Sequence, residues 1–452
     1  MEKLIKILSL TQATSKYKSS NSLRTQQLSP VEKMNIYSAK YTIRSLFRDI
    51  LRGWWARNIV YPRILENERN EWALNKYVKK QQIRINLDTQ QSSTPYYINK
   101  ETVRNSPKSF IRPRTLSSFI RSKISTSGST GRPLTLLQDL RAIVLEEAFV
   151  YRQLRWTGYS YGERRAWLRG DIVYSGNNNR ETFGCRDWWS NTLMLSSYHI
   201  SQSTAENYIS SLSKFDPIII QAYPSSINAL ATWMLSKNKD YKGKSLRAIV
   251  TSSETLDREM RERIEKAFGC KVFDWYGQAE RVIAIGTCDH GSYHILNDYG
   301  MVELIPEEND TYELVGTSYN NLTMPLPHYR TGDFIRLSQA PCSCGRIFPV
   351  ATEIIGRRDK VITLPDGREI GRLDHVFKGV NNILEGQIVY QGKAHFLLKI
   401  VAISEWKHTD SELLIKNLND RISDVTANIE IVDSISRAAN GKFNFIRIEA
   451  EE

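Results

Sequence analysis

No run in this 452-residue sequence approaches the roughly 20 consecutive apolar residues that a membrane-crossing helix requires. A role built on a helical membrane span is therefore not expected. Cysteine is scarce, with five residues at irregular spacing, which excludes a disulfide framework and points to a reducing cytoplasm. The opening segment, MEKLIKILSLTQATSKYK, has a short apolar patch but no small-residue cleavage site, so it does not read as a secretory signal. Internal repeats and low-complexity tracts are lacking too. Acid is short in one region only. Residues 1–124 hold 8 Asp and Glu against 24 Lys and Arg, whereas residues 125–452 hold 41 against 38. The net charge of +13 thus arises in the N-terminal quarter. That distribution argues against a nucleic-acid protein with a uniformly basic surface and leaves a basic face toward a phosphate-rich partner or an anionic membrane.

What remains is an ordinary globular composition, 41% apolar and 25% charged, in a chain long enough for two domains. Residues 31–85 read as helical. Leu46, Ile50 and Trp54 recur at four-residue spacing with Arg48, Arg52 and Arg57 between them. The first expectation is a helix that packs this apolar stripe on the domain and leaves its arginines in water. A membrane-surface helix is the alternative. Residues 86–124, rich in Ser, Pro and Arg, read as loops.

From residue 125 strand and helix alternate. Asp139 is placed to cap a helix running to about Trp156. Ile218–Ile220, Ala248–Val250 and Lys271–Phe273 read as buried strands. Between them lie helices over Ser226–Lys237 and after Asp257, the latter with Met260, Ile264 and Phe268 on one face. This alternation predicts an α/β domain with a largely parallel sheet. Residues 300–355 read as β-rich, and residues 356–452 suffice for a small separate domain.

The densest chemical signal is Ser125–Thr126–Ser127–Gly128–Ser129–Thr130–Gly131, followed by Arg132–Pro133. Glycines admit close backbone approach, and amides with hydroxyls can wrap phosphate oxygens. The GxxxxGK[ST] pattern is not met. Further segments follow in order: TSSE (Thr251–Glu254), YGQAE (Tyr276–Glu280), YRTGD (Tyr329–Asp333), CSCGR (Cys342–Arg346), GRRDK (Gly356–Lys360) and NGK (Asn440–Lys442).

Taken together, these segments resemble the motifs of the acyl-adenylate-forming enzymes. TSSE and CSCGR are similar to the phenylacetate–CoA ligase-like branch with its capsule-polysaccharide relatives. The resemblance implies an α/β fold, with a large N-terminal adenylate-forming domain of mostly parallel sheets and a small mobile α+β C-terminal domain. It divides the chain into a basic, helix-rich part (1–124), an ATP- and substrate-binding core (125–355) and a C-terminal lid (356–452). It implies ATP- and Mg²⁺-dependent activation of a carboxylic acid, then acyl transfer to CoA or to an amine or sugar-linked acceptor, as in surface-glycan biosynthesis.

Residue by residue, the resemblance implies that Ser125, Thr126, Ser127, Gly128, Ser129, Thr130 and Gly131 hold the terminal phosphates. Glu280 takes Mg²⁺, as a hard cation prefers carboxylate oxygen. Tyr276, Gly277 and Gln278 line the adenine, Asp333 accepts from the ribose hydroxyls, and Arg357 reaches ribose or phosphate. Glu254 joins the cofactor-binding set. Asp359 is the hinge and Lys442 bridges carboxylate and α-phosphate, where an ammonium offsets developing charge. The sequence departs from the family pattern at Ala279, where a hydroxyl residue is usual, and at Leu134, where many relatives carry Lys.

Cys288, His294, Cys342 and Cys344 are suited to zinc, and the same branch implies a structural metal on such a set. The alternative is four reduced, partly buried side chains without metal. Cys185 and Cys270 read as core residues. Trp188, Trp189 and Tyr223 are candidates for the acid pocket. Three further readings stay open: adenylyl transfer to a hydroxyl acceptor, a non-catalytic nucleotide-binding module, and a nucleic-acid or membrane-binding protein driven by residues 1–124. The expected location is the cytoplasm, with weak peripheral membrane contact through the basic region; specific nucleic-acid binding is not expected.

Overall fold

A computed structural model describes residues 36–85, 96–113, 120–126, 134–173 and 184–357, and most of 362–449. A hairpin of β1 (Arg121–Ser125) and β2 (Thr135–Asp139) leads into the helix Leu140–Trp156. Asp139 Oδ1 accepts from Ala142 N at 2.8 Å, so the expected cap closes that helix. The main sheet is built from β3 (Arg165–Arg169), β4 (Gly184–Asp187), β5 (Thr192–Ser196), β6 (Ile219–Ala222), β7 (Ala248–Ser252), β8 (Lys271–Gly277), β9 (Ala284–Thr287), β10 (Tyr293–Ile295), β11 (Gly300–Glu307), β12 (Thr311–Ser318), β13 (Tyr329–Leu337) and β14 (Val350–Arg357). Its order is β11-β12-β13-β14-β10-β9-β8-β7-β6-β3-β5-β4.

Within this sheet parallel pairing is confined to β5-β3-β6-β7-β8, the stretch where strand and helix alternate; its remaining pairs are antiparallel. The crossover helices Pro224–Ser236 and Arg258–Phe268 bury their apolar faces on this half, and Asp257 caps the second through Met260 N at 2.7 Å. The loop expectation for residues 86–124 holds only in part. A short helix, Lys100–Asn105, forms there because Asn99 and Thr102 cap it reciprocally.

The C-terminal region begins with the two-stranded β15 (Ile362–Thr363) and β16 (Glu369–Ile370). It continues with a four-stranded sheet of β17 (Ile383–Tyr390), β18 (His395–Ala402), β19 (Thr426–Ile431) and β20 (Ile446–Ile448). The helix His408–Asn419 packs on it around Leu398, Leu414 and Leu418. Leu384, Val401, Ile403 and Ile435 leave this core and join the large apolar cluster of the main sheet.

The N-terminal helix corrects the sequence reading. The helix Ile36–Arg48 runs on through helical turns to Leu65, but it faces the other way round. Its buried residues are Ser38, Tyr41, Thr42 and Ser45, while Ile50 and Trp54 of the apolar stripe are exposed. Arg52 pairs with Glu147 at 3.0 Å and the Arg57 guanidinium lies 3.4 Å from the Tyr161 ring centroid, so two of the arginines face the domain. The surface beneath is polar, offering the Arg186 carbonyl and the Asp187 carboxylate, and it selects the hydroxyl face.

Candidate active site

Ligands of open α/β sheets sit beyond the carboxyl ends of the parallel strands. Here β3 ends at Arg169, β6 runs into Tyr223, β7 into Glu254, and β8 into Gln278–Ala279–Glu280. Asp333 lies in β13 opposite Arg357 of β14, which brings the YRTGD and GRRDK segments into register. Tyr276 Oη donates to Asp333 Oδ2 at 2.7 Å, and Arg357 Nε lies 3.4 Å from Asp333 Oδ1. Tyr329 Oη donates to Glu280 Oε1 at 2.9 Å. Burial holds both phenols well above the usual tyrosine range, and the adjacent carboxylates push them the same way. Each therefore stays a proton donor that orients its acid.

Glu280 and Asp333 are buried, yet Glu280 Oε2 makes no hydrogen bond among the described residues. A carboxylate with one oxygen held and one offered fits a hard cation. The side-chain amide of Gln278 is buried with neither polar atom hydrogen-bonded, which suits a ligand edge carrying both donor and acceptor.

The base of the Ser/Gly-rich loop is closed by Thr126 and Leu134. Thr126 N donates to Leu134 O, and Leu134 N donates to Thr126 Oγ1, each at 2.9 Å. Ser125 Oγ stands 3.4 Å from Thr135 Oγ1. Leu134 packs in one apolar cluster with Tyr276, Ala279 and Tyr329, so the loop starts and ends beside the carboxylate pair. Ser127, Gly128, Ser129, Thr130, Gly131 and Asp359 lie outside the described residues.

The NGK segment docks on the same rim. Glu254 Oε1 accepts from Phe443 N at 2.8 Å and its Oε2 from Ser225 N at 3.0 Å. Tyr223 Oη donates to Asn440 O at 2.9 Å, and Ser197 Oγ to Gly441 O at 3.2 Å. Two glycines allow the approach. A Cβ on Gly170 would stand 2.0 Å from Asn440 O, and one on Gly441, at φ +77°, would stand 2.1 Å from Gly170 Cα. Burial lowers the Lys442 pKa, Arg169 and Arg357 lower it further, and Glu254 opposes them. Among the described residues the Lys442 ammonium makes no hydrogen bond or ion pair.

Sequence reasoning missed Arg169. Its guanidinium lies between Trp167 and Tyr223, 4.7 Å and 5.3 Å from their ring centroids, and bonds Ser252 Oγ. The only sequence signal was a glycine directly after a strand. Trp188 and Trp189, expected in the acid pocket, lie at the opposite end of the sheet. They follow β4, which is antiparallel and finishes beside the start of β5. Trp188 N donates to Thr42 Oγ1 at 3.0 Å and Trp189 Nε1 to Asp49 Oδ2 at 3.3 Å, so both serve the N-terminal helix.

Cys288 follows β9, His294 lies in β10, and Cys342 and Cys344 come from the β13–β14 loop. Their ligand atoms all lie within 4.8 Å of one another. Cys288 Sγ is 3.7 Å from Cys342 Sγ, and Cys344 Sγ is 3.3 Å from His294 Nε2. A tetrahedron with Zn–S of about 2.3 Å and Zn–N of about 2.1 Å has edges of roughly 3.8 and 3.6 Å, so the donor set fits zinc. Amides of His290 and Cys344 donate to Cys288 Sγ (3.3 Å) and Cys342 Sγ (3.5 Å), while burial pushes the Cys288 thiol up to about 12. Burial lowers His294 to about 4, leaving a neutral imidazole able to ligate.

Comparison with known proteins finds similarity over most of the chain. The CapK C-terminal domain family matches residues 362–449. CapK of Staphylococcus aureus is 25% identical over 335 residues, covering 72% of this chain and 73% of CapK. The phenylacetate–coenzyme A ligase of Thermus thermophilus is 25% identical over 259 residues, and the match spans 53% of this chain and about half (55%) of that protein. A solved structure of 2-hydroxyisobutyryl-CoA ligase, in the postadenylation state with 2-HIB-AMP, superposes with a TM-score of 0.58 at 16% identity, covering 95% of both chains. The fold is that of the adenylate-forming ligases. Similarity to CapK and to the phenylacetate–coenzyme A ligases, on this fold, supports the resemblance that the motif segments carry.

Proposed function

We propose that this chain activates a carboxylic acid with ATP as an acyl-adenylate and passes the acyl group to CoA, or to an amine or sugar-linked acceptor. One observation carries the reading: the loop bearing Lys442 is seated on Glu254, Tyr223 and Gly170, on the rim where Asp333, Tyr276 and Arg357 are joined. A carboxylate oxygen would bond to the α-phosphorus as the bond to the bridging oxygen breaks and pyrophosphate leaves. Lys442, low in solvation, would offset the charge that gathers between them. Asp333, oriented by Tyr276, would accept from the ribose hydroxyls, with Arg357 beside it. Tyr276, Gly277 and Gln278 would line the base, and Ser125–Gly131 would hold the terminal phosphates. Glu280 would hold Mg²⁺, which would supply neutralisation of phosphate charge.

In the second half-reaction the acceptor thiol or amine would attack the acyl carbon, lose its proton and expel AMP. Residues 356–452 would act as a lid turning about Asp359 between the two steps. Zinc held by Cys288, His294, Cys342 and Cys344 would be structural, because four protein donors leave no open position. Action on a surface-glycan precursor and a cytoplasmic place against a membrane are finer parts of this reading. The capsule-polysaccharide resemblance carried by Thr251–Glu254 and Cys342–Arg346 supports the first and the basic N-terminal region the second.

The test is ATP–pyrophosphate exchange over a panel of acids, with mass-spectrometric detection of the adenylate. The expected result is acid-dependent exchange that Lys442→Ala lowers by about 10²- to 10³-fold. A stable AMP conjugate of a hydroxyl compound would instead identify adenylyl transfer. Full adenylation by Lys442→Ala would remove the assigned role.

A further inference from the structure

The N-terminal helix presents its apolar side chains to the outside. From residue 36 to 57 the inward contacts are made mainly by small or polar groups and Tyr41; the apolar Ile64 is buried only at the end of the segment. Tyr41 Oη donates to Ile172 O at 3.2 Å, Thr42 Oγ1 accepts from Trp188 N, and Gly53 and Ala56 pack closely. Outward stand Ile43, Phe47, Ile50, Leu51, Trp54 and Trp55, each between 49% and 62% exposed. Such a density of large apolar groups on one surface marks an interaction site, since isolated exposed residues are ordinary and contiguous ones are not. Exposed Lys40, Arg44 and Arg63 accompany them, and residues 1–124 hold the whole positive excess of the chain.

We propose that the outward face of residues 36–65 is a membrane-docking surface that seats the protein on an anionic lipid bilayer. The inference deepens the membrane-side location given above and does not depend on the ligase chemistry. Tryptophan and phenylalanine suit the headgroup boundary, and neighbouring Lys and Arg meet lipid phosphates. The face lies on the membrane and does not enter it as a span, since among the described residues no helix is long and apolar enough to cross. Charge argues against other occupants. A second copy paired through the same face would oppose Lys40, Arg44 and Arg63 with their own kind. Residues 1–35 hold 6 Lys and Arg against 2 Asp and Glu, the same sign as the face.

The experiment is cosedimentation of the full chain with vesicles of phosphatidylcholine alone and with added phosphatidylglycerol, together with light scattering in vesicle-free solution. Two variants accompany it, Phe47→Ser/Trp54→Ser and Lys40→Glu/Arg44→Glu; circular dichroism and melting curves matching the parent verify their folding. The expected result is binding to phosphatidylglycerol vesicles, weakened by salt, that each variant lowers by about tenfold or more. Equal binding by parent and variants would overturn the proposal. So would a vesicle-free dimer that the Phe47→Ser/Trp54→Ser variant dissolves, because the face would then be an interface between copies. Loss of ATP–pyrophosphate exchange bears only on the ligase reading, since the vesicle assay uses no nucleotide.

Discussion

Glu254 joins two distant parts of the chain: one carboxylate oxygen accepts from Phe443 N at 2.8 Å, the other from Ser225 N at 3.0 Å. The lysine loop is thus held by the strand end that follows β7. Glu254→Ala removes the acceptor of both amides. Adenylation is expected to fall about tenfold or more, at roughly 1.5–3 kcal/mol for a hydrogen bond to a charged group. Acyl transfer from a supplied adenylate is expected to fall less, since the lid would leave this position for that step. Parallel measurement of the two half-reactions checks this, and equal losses would count against a docking role.

Asp333 is held by Tyr276 and paired with Arg357. Asp333→Asn keeps an acceptor for the phenol but removes the charge that would grip the ribose. The KM for ATP is expected to rise about tenfold, consistent with a charged hydrogen bond replaced by a neutral one, while the KM for the acid stays near that of the parent.

Arg169, between Trp167 and Tyr223, lies close enough to Lys442 to lower its pKa. Two cations at one strand end suit an incoming carboxylate. Arg169→Gln is expected to raise the KM for the acid about tenfold without a matching change for ATP. Steady-state kinetics with each substrate varied in turn decides it.

The lowered pKa of Lys442 sets a pH dependence. The working form is the ammonium, so adenylation is expected to decline as pH rises through that pKa, below the ordinary lysine value of about 10.4. Lys442→Arg, whose guanidinium keeps its proton, is expected to shift the alkaline limb upward at a lower rate. For stability the sign is the same as for any base with a lowered folded pKa. Protonating Lys442 costs more in the folded chain than in the unfolded one, so this group favours folding more as pH rises through that window.

Zinc is expected at one ion per chain by metal analysis. Cys342→Ser or a strong chelator is expected to release it and to lower the melting temperature by several degrees. The β13–β14 loop would lose its tie to β9 and β10, while Arg346 would keep its pairs with Asp289 and Glu68. An unchanged melting curve with no bound metal would favour four reduced side chains.

Much of the fold was legible because local chemistry sets it. Asp139 and Asp257 cap the helices expected of them, and the apolar runs at 218–220, 248–250 and 271–273 became parallel strands. Their spacing from helix to helix leaves little choice of topology. The ordered motif segments likewise converge, Tyr276 on Asp333 and Tyr329 on Glu280.

Where neighbours decide, sequence alone was insufficient. Periodicity reports that the helix 36–48 has an apolar face but not what lies beneath the other one, and a polar surface at Arg186 and Asp187 turned that face outward. Two adjacent tryptophans indicate an aromatic surface, yet the antiparallel direction of β4 placed Trp188 and Trp189 away from the candidate site and left Arg169 and Tyr223 there. The sequence by itself determined the element types and the order of the motif segments, since capping, alternation and motif order are local along the chain. Tertiary structure alone decided which faces are buried, which thiols reach the imidazole and where Lys442 docks, because each depends on groups brought together from 50 or more residues apart.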